Sequence, residues 1–179
     1  MYSLMTKEST LLDDVDKGEA AGLFPGTASS RPAADPAALA SDVAAYLSEG
    51  GGAEALLGAT RRLFEMALAS AADALSIVGA EGFLACVERR VTAGGTASGD
   101  LDAANAIALL TAASRSGSAR VHARIAGDES LLRALLLAVA RGPSDGARRG
   151  NAATALHQLS HTASWEAAAA LWTPSRTTT

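Results

Sequence analysis

Large side chains are scarce in this chain. Aromatic residues make up only 4% of its 179 residues: three Phe, two Trp and two Tyr. Hydrophobic stabilisation scales with apolar area, at roughly 25 cal/mol per Å², so this composition favours many small helix–helix contacts over one bulky core. There is one cysteine, Cys86. It excludes an internal disulfide and suits a reducing compartment. Its apolar setting, GFLACVERRV, predicts a buried structural thiol. Basic charge is not in excess: 15 Lys and Arg against 19 Asp and Glu leave a net charge of −4. Arginine pairs such as Arg61-Arg62 and Arg89-Arg90 do not build the clustered basic surface that nucleic acid requires. No run approaches the ~18 apolar residues of a membrane span; the longest is Ala134 to Ala140. The first 24 residues carry neither the apolar stretch of a signal peptide nor the acid-poor character of a transit peptide. A cytoplasmic or nuclear protein is expected, with no nucleic-acid and no membrane partner.

What the chain does have is alanine, the best helix former, and punctuation by glycine. Hydrophobic residues are 49% of the total, many of them alanine. Residues rich in Gly, Pro, Ser and Thr run from Gly22 to Pro36. Residues 1–34 therefore read as a flexible tail, the alternative being a short docking motif. Helical signal begins at Asp35-Pro36, a good N-cap followed by a favoured first residue. Leu39, Val43, Tyr46 and Leu47 then share one face. Further helices are expected over Ala53–Ala69, Ser70–Val78 and Phe83–Thr92. Another should follow the loop Gly94–Gly99 with Asp100 or Asp102 as its cap. Ala119–Ala126, Leu131–Ala140 and Arg148–Thr162 complete the series, before a partial helix at Trp165–Trp172 and a disordered tail over 173–179.

These helices recur. SIVGAEGFLACVERRVTAG (Ser76–Gly94) aligns with RIAGDESLLRALLLAVARG (Arg124–Gly142) at an offset of 48 residues. AANAIALLTAAS (Ala103–Ser114) aligns with AATALHQLSHTA (Ala152–Ala163) at an offset of 49. A weaker copy lies one period earlier, with Leu39 and Val43 against Val87 and Val91. Each unit reads as short helix, glycine, medium helix, Gly-rich break, long helix. One unit cannot bury its own apolar face, but stacked units can, which predicts a solenoid. The glycine after each short helix, Gly79 or Gly127, is expected to make the sharp turn by adopting positive φ. Stacking of the last long helix is expected through Ala152, Ala153, Leu156 and Leu159.

The junctions SIVGAEGFLACV and RIAGDESLLRAL, with RRGNAATALHQLS as a third helix, resemble armadillo repeats. The likeness is strongest to plant-type armadillo proteins, including the repeat regions of U-box ubiquitin ligases. It covers residues 35–172, about three units. HEAT-type two-helix repeats are the nearby alternative. The resemblance implies an all-α, armadillo/HEAT-like solenoid that acts as a protein–protein interaction scaffold, with the partner on the concave face formed by the third helices. Carried over by register, that face comprises Gly58, Arg62, Asn105, Leu109, Thr154 and Gln158. The positions matching the family's peptide-clamping asparagines are Arg62, Leu109 and Gln158, and none is Asn. No U-box sequence accompanies the repeats. The alternatives to a scaffold are the substrate-recognition part of a ligase whose catalytic module is elsewhere, or a structural subunit of an assembly.

Catalytic chemistry is not expected. His157 and His161 share a helix face, but nothing nearby supplies a third and fourth metal ligand. No nucleophile elbow, phosphate-binding loop or calcium-loop order is present. The expectation is no enzyme, no cofactor and no metal. Trp165 and Trp172, seven residues apart, are candidates for capping the solenoid or for end-to-end association.

Overall fold

The structure, a computed structural model, describes residues 33–48, 52–116, 118–141 and 146–162. Among these residues there are eight α-helices and no strand, so the all-α class expected from the composition is what the chain forms. The helices are α1 (Pro36–Leu47), α2 (Ala53–Ala69), α3 (Ala71–Gly79), α4 (Phe83–Thr92), α5 (Ala97–Arg115), α6 (Ala119–Ala126), α7 (Glu129–Arg141) and α8 (Ala147–Thr162). Both tryptophans, residues 1–32 and the last residues of the chain lie outside the described residues. No described helix is long and apolar enough to cross a membrane.

The helix starts follow local chemistry. Asp35 Oδ1 accepts a hydrogen bond from Ala37 N at 3.1 Å, with Pro36 as the first helical residue. Ser70 Oγ accepts from Asp73 N at 3.2 Å and caps α3. α5 departs from expectation. It begins at Ala97, inside the Gly-rich loop, and its cap is Thr96, whose Oγ1 accepts from Gly99 N at 3.1 Å. Asp100 and Asp102 instead pair with arginines, Arg148 and Arg90. The first turn of a helix tolerates a glycine when a side chain holds its amide, and Thr96 does so here.

The turns between short and medium helices also differ from expectation. Gly79 is the last residue of α3, and Gly127 has φ −76°. Positive φ falls on Gly82, at 78°, where it is the N-cap of α4. The equivalent α6–α7 turn uses a side chain: Asp128 Oδ1 accepts from Leu131 N at 3.0 Å. A carboxylate cap at one junction thus replaces a left-handed glycine at the other.

The helices pack in three files. α2 lies on α5 and α5 on α8; α1 lies on α4 and α4 on α7; α3 lies on α6. α5 also touches α3, α4 and α6, which places it at the centre. Every residue from Ala103 to Ser114 is buried. A helix with small or apolar residues on every face can be enclosed, and alanine at six of these twelve positions lets the neighbours come close. The buried hydroxyls of Thr111 and Ser114 donate to Ile107 O at 2.8 Å and Leu110 O at 3.0 Å, so they cost little. His122 of α6 is buried as well, with Nε2 2.6 Å from Ser114 O, near the end of α5 where carbonyls lack helical partners.

α8 packs on α5 through Ala152, Ala155 and Leu159, which are all buried. Leu156 is half-buried and packs against the core as expected, whereas Ala153 is exposed, contrary to the expected stripe. The face is set by positions i, i+3 and i+7 from Ala152, which rotates Ala153 outward.

Candidate protein-binding face

The six residues assigned by register fall on the file α2–α5–α8, two on each helix. Gly58 and Arg62 lie on α2, Asn105 and Leu109 on α5, Thr154 and Gln158 on α8. Their accessibility separates them. Leu109 is fully buried and Asn105 nearly so. Neither offers a side chain to solvent, because α2 and α8 close over α5. Gly58, Thr154 and Gln158 are half-buried, and Arg62 is exposed.

Arg62 is the best-defined polar feature of this face. Its Nε stands 2.9 Å from Asp42 Oδ1 and its Nη2 2.7 Å from the same oxygen, so the guanidinium of α2 grips a carboxylate of α1. Asp42 is buried on its own helix. The hydrogen bonds and charge of Asp42 raise the Arg62 pKa further above its ordinary value. Gly58 sits one turn before Arg62, and a Cβ there would stand 3.3 Å from Arg62 Nη1. The absent side chain lets the guanidinium lie back along α2 toward α1. Thr154 Oγ1 donates to Gly150 O at 3.0 Å and so is turned onto its own helix.

Sequence register missed the residues that join helices distant in the chain. Arg90, on α4, is the most connected. Its Nη1 contacts Asp102 Oδ2 at 2.9 Å, its Nη2 donates to Tyr46 O at 2.9 Å, and its Nε donates to Cys86 Sγ at 3.3 Å. The guanidinium also lies 4.8 Å from the centroid of the Tyr46 ring, a cation–π distance. Tyr46 in turn meets Phe83, ring centroids 5.4 Å apart. Cys86 is buried within this cluster, in line with the structural thiol expected from its setting.

At the other boundary Arg148 Nη1 donates to Asp100 Oδ1 at 3.1 Å and Asn151 Nδ2 to Ala104 O at 2.9 Å. Arg124 Nε donates to Val78 O at 3.2 Å. The sequence signal for these contacts was slight: Asn151 stands beside the mostly apolar run AATAL but within a helix that carries many other polar residues. Among the described residues, no three His, Cys, Asp or Glu side chains gather as a metal site would require. His157 is exposed, and the side chain of His161 lies outside the described residues.

The class defined at this point is an all-helical protein with its long helices in one file. Compared with known protein families, with curated proteins and with solved structures, the chain matches none.

Proposed function

We propose that the chain is a non-enzymatic protein-interaction scaffold, built as an armadillo-like solenoid of about three repeats, whose partner protein lies across α2 and α8. One observation carries the reading. Most polar contacts that cross from unit to unit join residues almost one period apart, Ala34 with Asp73 at 39 being the exception. Arg90 and Tyr46 are 44 apart, Arg124 and Val78 are 46, Asn151 and Ala104 are 47, Arg148 and Asp100 are 48. The sequence repeats at 48 to 49 residues. Agreement between the two periods is what stacked units produce, and stacked units present long continuous surfaces suited to protein partners.

Within this reading the side chains that meet the partner are those of Arg62, Thr154 and Gln158, with Gly58 allowing close approach. Asn105 and Leu109 support the face from beneath. The full chain serves as bait for affinity capture with mass spectrometry, beside Arg62→Glu and Gln158→Ala. A partner held by the native chain and lost from both variants, with unfolding unchanged, supports the face. Retention of every partner by both variants overturns it.

A further inference from the structure

α1 and α3 enclose an apolar groove of about 350 Å³. Leu39, Val43 and Leu47 line one wall, Ser76 and Ala80 the other, and Glu81 stands among them as the lining carboxylate. The repeat says what this groove is. Val87 and Val91, one period after Leu39 and Val43, are both fully buried in the next unit. Arg124, one period after Ser76, is the residue through which α6 reaches α3, donating to Val78 O at 3.2 Å. Ser76 and Ala80 therefore face the groove from the side on which each short helix meets the preceding unit. The groove is the place that a short element ahead of α1 would fill, as α3 does ahead of α4 and α6 ahead of α7.

The chain itself leads there. Ala34 N donates to Asp73 Oδ2 at 2.9 Å, and Asp73 is buried in the first turn of α3. The residues just before α1 are thereby held beside the groove. One period before α3 the sequence begins Leu23-Phe24. The ten residue steps from Phe24 to Ala34 can extend about 33 Å, whereas α1, with 12 residues, is about 18 Å long. Leu23 and Phe24 can reach any point along it. Chemistry selects them over the other apolar pair of the N-terminal segment. Gly22 to Gly26 carries no charge, while Leu11-Leu12 precedes Asp13, Asp14 and Asp16, which Glu81 would repel. We propose that Leu23 and Phe24 of the chain's own N-terminal segment dock in the α1–α3 groove and complete the first unit. Docking there depends on the repeat register and not on partner binding at α2 and α8, so each can fail without the other.

Hydrogen exchange of the full-length chain, read by mass spectrometry over α1 and α3, tests this. The double variant Leu23→Ser/Phe24→Ser should accelerate exchange in both helices by tenfold or more and lower the thermal midpoint, about the scale of a lost apolar contact. Leu11→Ser/Leu12→Ser should change neither. Unchanged exchange in the first double variant overturns the proposal. So does sedimentation as a dimer that Leu39→Glu dissociates and Leu23→Ser/Phe24→Ser does not, since a second copy would then fill the groove.

Discussion

The two boundaries between successive layers of packed helices are built differently. At the first, where α1 and α2 meet α4 and α5, one side chain reaches across, Arg90 to Tyr46 O, held in position by Asp102 of α5 and Cys86 of α4, and beside it Ala34 N donates to Asp73 Oδ2. At the second, the polar contacts are spread over three residues on two helices, Arg124, Arg148 and Asn151. The apolar positions beneath recur in the sequence, as Val87 with Leu135 and Val91 with Val139. The polar contacts do not recur. Stacking needs only apolar surface in register, so each boundary is free to find its own hydrogen bonds. A concentrated joint should be fragile to one substitution, and a distributed joint should not.

Arg90→Met is expected to have the largest effect. It keeps an apolar stem but removes the donors to Tyr46 O and Asp102. Breaking a buried charged network costs 3–5 kcal/mol in full burial. The Asp102 side chain is 38% exposed, so the expected loss is reduced to about 2 kcal/mol. Urea denaturation measures it, and hydrogen exchange should localise the loosening to α1 and α4. A loss under about 0.5 kcal/mol, the range of ordinary surface changes, would mean that the joint is not concentrated on Arg90.

Asn151→Leu should do less, about 1 kcal/mol. Ala104 O is a mid-helix carbonyl that retains a helical partner, and Arg148 still holds Asp100. Exchange should rise in α8 alone. An effect as large as that of Arg90→Met would erase the distinction between the joints.

The smallest effect is expected from Tyr46→Phe, and it should be favourable. Tyr46 Oη is buried and has no hydrogen-bond partner among the described residues. Burial pushes its pKa above the ordinary tyrosine value, against the opposing pull of Arg90. A folded-state pKa above the unfolded one favours the neutral hydroxyl in the native chain. The stability it protects is present below about pH 10 and is lost as pH rises beyond that. Tyr46→Phe should gain less than about 1 kcal/mol near neutral pH and should flatten the alkaline decline. Denaturation midpoints of both chains from pH 7 to 11 make the comparison. A parallel decline in the two would show that Tyr46 does not contribute to it.

Much of the fold was legible along the chain. Helix limits at Pro36, Ala53, Phe83 and Ala119 followed from caps, prolines and glycine punctuation, which act within a few residues. The start of α5 was misread because two aspartates looked like caps, whereas Thr96 was the cap and both carboxylates were claimed by arginines from other helices. The six register residues divide by exposure. Register placed Arg62 on an accessible helix, but it also assigned Leu109 and Asn105, which α2 and α8 enclose. Asp42, the partner of Arg62 twenty residues away, carried no local signal.

The sequence by itself determined the helices, their order and their period, because propensity, capping and apolar spacing are local properties of the chain. Only the tertiary structure decided which long helix is enclosed and which are open, which carboxylate each arginine takes, and where positive φ is needed. Those outcomes depend on how closely neighbouring helices approach, and an alanine-rich surface allows an approach close enough to bury α5 on every side.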